Sequence, residues 1–194
     1  MFTNEQMKRL IAREMVGDLY PYDTNDISEV QAHLKRMKAE IERLPRVCCE
    51  PAQEHFGSGF ASYVDWFCYR QEDVEIQEQN NIQELRKSGL LLNISTLAPV
   101  VIIGYGERTD SIQIATQQFL SSSRSLLVEP FQMIVPPHFQ SFYETLQRIV
   151  MKYQYTILWK EDVEKPLPFP TKIATIFRKP KYYLIWDAIF YWED

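Results

Sequence analysis

Apolar residues between Ile27 and Leu44 recur in steps of three and four, at Ile27, Val30, Leu34, Met37, Ile41 and Leu44, and Pro45 ends the run. This is the repeat of one helix face, and a proline in the next turn would break its hydrogen-bond ladder. From Gly59 the period falls towards two and β-branched and aromatic residues crowd together, the pattern of strands. Helices first, strands in the middle, then helix and more strands is not the regular strand-helix alternation of a doubly wound fold. The order predicts an α+β domain with an antiparallel or mixed sheet, N-terminal helices and one later helix packed on it. No repeat of fixed period and no break in composition divides the chain. A single domain over 1–194 is expected, its helical portion 1–46 lying on the sheet of 59–194.

Local signals refine this order. Thr3 and Gln6 have capping-box spacing, and Phe2 with Met7 that of a hydrophobic staple. Met7, Leu10, Ile11 and Met15 then predict a first helix, with Gly17 as its stop. Asp26 and Glu29 resemble a capping pair for the second. If Gly59–Arg70 is a strand, Phe60, Val64, Trp66 and Cys68 share one face. The polar stretch 71–88 reads as a connection with a short helix around Ile82–Arg86. Leu90–Thr96 and Val100–Tyr105 read as strands, and Gly106–Asp110 as a hairpin connection into Ser111–Ala115. Ser121-Ser122-Ser123 suggests a loop or helix end. After Pro136-Pro137 a helix carries Phe139, Phe142, Tyr143, Leu146, Ile149, Val150 and Tyr153 on one stripe. Late strands are expected at Tyr155–Trp159, Lys172–Phe177 and Tyr182–Trp186. Pro166-Leu167-Pro168-Phe169-Pro170 between the first two forbids regular structure and reads as a stiff loop.

Charge narrows the partners. The 194 residues carry a formal charge of -5. Residues 1–97 hold 11 Lys and Arg against 16 Asp and Glu, while residues 98–194 hold 10 against 10. A chain without a basic surplus is a poor fit to nucleic acid. No stretch approaches the roughly 18 apolar residues of a membrane helix, and Met1 leads directly into polar Thr3, Asn4 and Glu5. A cytoplasmic protein that binds neither membrane nor nucleic acid is expected. Cys48, Cys49 and Cys68 are odd in number and do not form the framework of a secreted disulfide scaffold.

Catalytic and cofactor motifs are incomplete. Gly104-Tyr105-Gly106 follows an apolar run, but Thr109 stands where the dinucleotide fingerprint requires its third glycine, and strand pattern follows. Gly57-Ser58-Gly59 lacks the order of a nucleophile elbow, and no Gly-Lys-Ser or Gly-Lys-Thr occurs. His33 lies off the seam of the second helix and His138 in the first turn of the later one. His55 has Cys48, Cys49, Glu50 and Glu54 near it in sequence, yet vicinal cysteines lack the spacing of a zinc knuckle. No metal and no cofactor is expected, and small buried thiols are the simpler reading. Asp73–Glu84 lacks the alternating ligands and central glycine of a calcium loop.

Two features remain. Between Arg70 and Arg86 there is no basic residue, whereas Glu72, Asp73, Glu75, Glu78 and Glu84 all occur there. Such a stretch is either a solvated hairpin tip or a negative surface that steers a basic partner. Asp187 stands between Tyr182–Trp186 and Ala188–Trp192, so its carboxylate is expected among apolar neighbours. It would then serve as an acid or base of raised pKa, or cap a turn by bonding a backbone amide. The leading expectation is a non-enzymatic domain that binds another, basic protein, such as a toxin or nuclease to be neutralised, through Glu72, Asp73, Glu75, Glu78 and Glu84. The alternative is a small-molecule site or enzyme with a pocket near Asp187 and Tyr183. Self-association through helix 27–44 is a third.

Overall fold

The computed structural model describes residues 2–52 and 59–193. His55, Glu54, Gly57 and Ser58 lie outside the described residues. Two helices, α1 (Asn4–Ile11) and α2 (Ile27–Ile41), precede strands β1 (Val47–Pro51), β2 (Tyr63–Gln79), β3 (Ile82–Ser95), β4 (Val100–Gln113) and β5 (Gln118–Arg124). Helix α3 (Gln140–Lys152), strand β6 (Thr156–Ile157) and the short helices α4 (Lys160–Val163) and α5 (Ile185–Ile189) follow. The chain is a single α+β domain. Strands β1 to β5 form an antiparallel meander in sequence order, and β6 joins β4 in parallel, making the sheet mixed.

Helix starts follow their local signals. Gln6 N donates to Thr3 Oγ1 at 3.2 Å and Thr3 N to Gln6 Oε1 at 2.9 Å, the reciprocal bonds of a capping box. Asp26 caps α2 by accepting from Ser28 N at 2.8 Å, while Glu29 instead receives the Tyr20 hydroxyl at 2.6 Å. Helix α1 ends earlier than Gly17, because Arg13 turns left-handed at φ 63°. Arg9 Nη2 then holds Met15 O at 2.8 Å and Val16 N donates to Leu97 O at 2.7 Å, which packs Met15 and Val16 on the core outside any helix.

The largest corrections concern the sheet. The stretch 71–88 contains no helix; it is the outer half of one long hairpin, turned at Asn80-Asn81 with φ of 52° and 64°, values asparagine tolerates better than most residues. Gly106–Asp110 is not a connection, since β4 continues through it to Gln113. The three serines are strand β5. Lys172–Phe177 contains no strand, β6 comprises only Thr156–Ile157, and Tyr182–Trp186 gives way to α5. The face assigned to Phe60, Val64, Trp66 and Cys68 is one of two buried faces, because Tyr63, Phe67 and Tyr69 are buried as well.

Helices α2 and α3 cover one face. There the Arg70 guanidinium sits 5.4 Å from the Phe139 ring centre, and the rings of Tyr105 and Phe139 lie 5.4 Å apart. The other face is concave. Gly104 lies on it, and a Cβ there would come within 2.6 Å of Gln132 O, so only glycine lets the 126–133 segment close over the sheet. Asn93 Nδ2 ties the same segment down by donating to Leu127 O at 2.7 Å.

Curvature is visible in cross-sheet bonds. Arg108 on β4 reaches Glu50 on β1 at 3.1 Å, and Arg124 on β5 donates to Ala52 O just past β1 at 2.8 Å. In a flat sheet β1 and β4 stand three strand spacings apart, about 14 Å. The sheet is therefore curled until its first and last strands nearly meet. Beyond the curl, the paired β2–β3 and β4–β5 hairpins extend past the helices, linked at their tips by Ile114 N donating to Asn81 O at 2.9 Å.

Candidate functional site

Register sorts the side chains of the projecting hairpins by face. Ile76 stands opposite Leu85, and Ile112 opposite Phe119, with Glu78 opposite Gln83 in the same row as Ile112. All of these lie on the concave face. Ile76 is 60% exposed and Phe119 57% exposed. They form an apolar stripe across four strands that no other part of the described chain covers. The stripe stays polar at its borders, with Glu78, Gln83 and Ser122 beside it.

Beneath the stripe lies a ring of charge. Asp110 Oδ1 accepts from Arg108 Nε at 2.9 Å and Ser122 Oγ at 2.7 Å, and Asp110 Oδ2 pairs with Lys87 Nζ at 3.0 Å. Glu50 accepts from the Tyr69 hydroxyl at 2.6 Å and from Arg108 Nη1 at 3.1 Å, with Lys87 Nζ at 3.4 Å. Two carboxylates and two cations alternate, so the ring is neutral and every member has a partner. Burial opposes ionisation of Asp110, but hydrogen bonds from Arg108, Ser122 and Lys87 outweigh it and hold the carboxyl below its usual range. The ring joins β1, β3, β4 and β5 across the concavity, while Gly89 and Gly106 leave room for Tyr69 and Leu91 beside it. Sequence reading missed both ring and stripe. Alternating Val74, Ile76 and Leu85, Ile112 within polar stretches was the available signal for the stripe; nothing local announced the ring.

The five acidic residues singled out from the sequence are divided by the same register. Asp73 sits in the bulge of β2, bound by Arg70 at 2.6 Å, and Glu72 is 3.7 Å from the same guanidinium. Glu75 and Glu84 share the convex face, where Glu84 pairs with Arg86 at 3.0 Å. Glu78 is on the concave face and receives only the Gln83 amide at 2.8 Å. Glu75 and Glu78 thus carry charge that no cation among the described residues neutralises.

Asp187 is fully buried at 0% exposure. Its Oδ1 pairs with Arg178 Nη1 at 2.7 Å, and its Oδ2 accepts from Leu184 N at 2.8 Å at the start of α5. Burial raises its pKa against the pull of these partners. Arg178 is also paired with Glu129, so one guanidinium fastens α5 to the 126–133 segment. Tyr183 spends its hydroxyl on Ile173, donating to its carbonyl at 2.7 Å and accepting from its N–H at 3.1 Å. The two residues hold separate parts of the C-terminal segment and the structure does not bring them together on one open pocket.

The remaining candidates are structural in placement. Cys49 and Cys68 face each other across β1 and β2 with sulfurs 3.1 Å apart, and burial pushes the Cys68 thiol up. His33, expected off the seam, is buried, with Nε2 3.1 Å from Tyr153 O and its ring among Tyr20, Tyr153 and Tyr155. Desolvation lowers its pKa. His138 is exposed beside Phe139. Among the described residues no cluster of three or more His, Cys, Asp or Glu could hold a metal ion, and no helix is long and apolar enough to cross a membrane. Comparison of the chain with protein families, with curated proteins and with solved structures finds no match.

Proposed function

We propose that this domain is a non-enzymatic binding module that grips another protein, basic in character, with its projecting hairpins. The observation that carries the reading is the uncovered stripe of Ile76, Leu85, Ile112 and Phe119. Large exposed apolar side chains grouped on one face mark contact surfaces, and aromatic anchors such as Phe119 supply most of their energy. Glu78 borders the stripe and Glu75 projects from the opposite face of the same hairpin, neither with a cationic partner among the described residues, a field that would attract a positive partner and repel a second copy of this chain. The rigid curled sheet beneath favours a preformed surface over one that folds on binding. A toxin or nuclease neutralised in the cytoplasm is the concrete case, consistent with the thiols of Cys48, Cys49 and Cys68 being free.

A photoreactive amino acid in place of Phe119, introduced in the native cell, tests this, with the same group at exposed Arg148 on α3 as control. The expected adduct is specific to position 119 and is a protein of basic pI. Its association with purified domain should slow at least tenfold in Glu75→Lys/Glu78→Lys at low salt, and its dissociation should accelerate in Ile76→Asp. Adducts equal at both positions, or association indifferent to salt and to the charge reversal, would defeat the reading.

A further inference from the structure

The neutrality of the C-terminal half conceals one strongly positive segment. Residues 165–186 hold five cations, Lys165, Lys172, Arg178, Lys179 and Lys181, and no Asp or Glu, whereas the rest of the chain holds 16 Lys and Arg against 26 Asp and Glu. Arg178 is spent on Asp187 and Glu129. The four lysines are exposed and form no ion pair among the described residues. Acid is plentiful in this chain, and Arg70, Lys87 and Arg108 each find a carboxylate. Leaving four like charges unpaired in one segment is therefore a property of this surface and not a shortage of partners.

The fold sets these lysines around one groove. An isolated bridge joins Pro166 to Leu184, with Leu167 N donating to Tyr183 O and Ile185 N to Lys165 O, both at 2.9 Å. The Tyr183 hydroxyl fixes Ile173, the neighbour of Lys172, by donating to its carbonyl at 2.7 Å. Between the segments lies an open groove of about 340 Å³, lined chiefly by Pro166, Pro168, Phe169, Pro170, Pro180 and Tyr183, with Lys181 in its wall. Lys165 and Lys179 each precede a lining proline. From α1, Lys8 Nζ stands 5.6 Å from the Phe169 ring centre. Glu164, next to Lys165 in the chain, is turned to Lys160 at 3.6 Å. Prolines have no N–H to donate, so the walls offer ring surface and the lysines offer the charge.

We propose that this groove binds a short, extended acidic segment of a partner protein, with an aromatic residue set between its carboxylates. The aromatic side chain lies against the proline and Phe169 rings, where buried ring area supplies affinity. The flanking carboxylates meet Lys8, Lys179 and Lys181, whose field speeds and orients the encounter. The groove is at the lower end of the size range of ligand sites, enough for one large side chain. Single-stranded nucleic acid also joins anions to rings, but its evenly charged strand would run on past the groove over a chain surface with surplus acid; a short peptide does not. The groove shares no residue with the hairpin stripe and does not depend on it.

The probes are the blocked pentapeptides acetyl-Glu-Asp-X-Asp-Glu-amide with X as Trp, Tyr or Phe, titrated into isotopically labelled full-length protein at low salt and followed by the amide resonances of Phe169 and Lys181. At least one peptide should shift both signals saturably, and its affinity should fall at least tenfold on going from about 20 mM to about 300 mM salt. Lys179→Gln/Lys181→Gln, which alters only exposed side chains, should fold normally and weaken binding about fivefold; Lys179→Arg/Lys181→Arg should restore it. The same peptide with X as Gly should lose the shift at Phe169. Silence at both residues with all three peptides overturns the proposal. So does equal binding by acetyl-Gln-Asn-Trp-Asn-Gln-amide, which would mean capture of a ring without charge. Tighter binding of hexathymidylate than of any acidic peptide overturns it in favour of a nucleic-acid strand. Ile76→Asp should leave the titration unchanged, separating this result from that of the hairpin surface.

Discussion

Replacing Asp110 by alanine tests whether the curled sheet is held by its ring of charge. Asp110 receives three hydrogen bonds, from Arg108, Ser122 and Lys87 at 2.9, 2.7 and 3.0 Å. At about 1 kcal/mol each, their loss amounts to about 3 kcal/mol. Stranding a buried charge costs about 3–5 kcal/mol, but side chains here keep 10–15% exposure, which places the expected loss at the lower end. For a chain of this length that is a fall in Tm of about 6–12 °C. Urea unfolding is the assay, because guanidinium would screen the charges being measured. Glu42→Ala, which breaks an exposed pair with Lys38 at 2.9 Å, should change stability by about 0.5 kcal/mol or less. Adding Lys87→Met to Asp110→Ala should recover part of the loss, since it removes the positive charge left in surplus when Glu50 alone faces Lys87 and Arg108. A loss below 1 kcal/mol for Asp110→Ala, or a double variant as weak as the sum of two single losses, would refute the view that this ring latches the sheet.

Two of the buried aspartates, Asp110 and Asp187, should respond to pH with opposite sign. Asp110 has a folded pKa below its unfolded value, so its contribution is present above the ordinary carboxylate pKa and fades as pH falls; the deficit of Asp110→Asn against wild type should be largest near neutrality and shrink in acid. Asp187 has a folded pKa above its unfolded value, so its contribution is complete in acid and fades as pH rises through the folded pKa; the deficit of Asp187→Asn should shrink from acid to neutral pH, and parallel profiles in thermal melts would contradict this. Gly104→Ala would press a methyl to within 2.6 Å of Gln132 O and should cost about 3 kcal/mol, read as a lowered urea midpoint at unchanged slope. Ile76→Asp, at 60% exposure, should alter stability by no more than about 0.5 kcal/mol while weakening any partner that sits on the stripe.

Local chemistry was legible in the sequence wherever a few neighbouring residues decide the outcome. Thr3 with Gln6, the Ile27–Ile41 seam and the stripe after Pro136-Pro137 each became the helix their spacing implies, because capping and one-face burial act over a single turn or two. What was illegible depends on residues far apart in the chain. The outer halves of β2 and β3 have water near both faces, so only the brief alternation of Val74 and Ile76 marks them as strand, and Glu75 or Gln77 reads as loop. Ser121 to Ser123 are strand because β4 is beside them, and Gly104 and Gly106 sit in mid-strand because the 126–133 segment and Leu91 press against them. In both glycines a residue that normally signals a turn was selected for closeness of packing.

The same distinction governs the candidate surface. Counting acids between Arg70 and Arg86 finds a charge surplus but treats the stretch as one patch, whereas a strand period of two sends alternate residues to opposite faces. Once the register is known, Asp73 is tied to Arg70, Glu84 to Arg86, and of the five acids only Glu75 and Glu78 lack a cation among the described residues, on different faces. The apolar stripe then becomes the more discriminating feature, because long-range attraction by two carboxylates orients a basic partner without choosing among many such partners. Shape complementarity to Ile76, Leu85, Ile112 and Phe119 does choose, and it is set by the curl of the sheet, hence by the ring of Glu50, Lys87, Arg108 and Asp110 below. A variant that loosens the ring without touching the stripe, such as Lys87→Met, should therefore weaken partner selectivity before it weakens salt-dependent association. Equal loss of both would mean that the stripe and the charge are read as one surface.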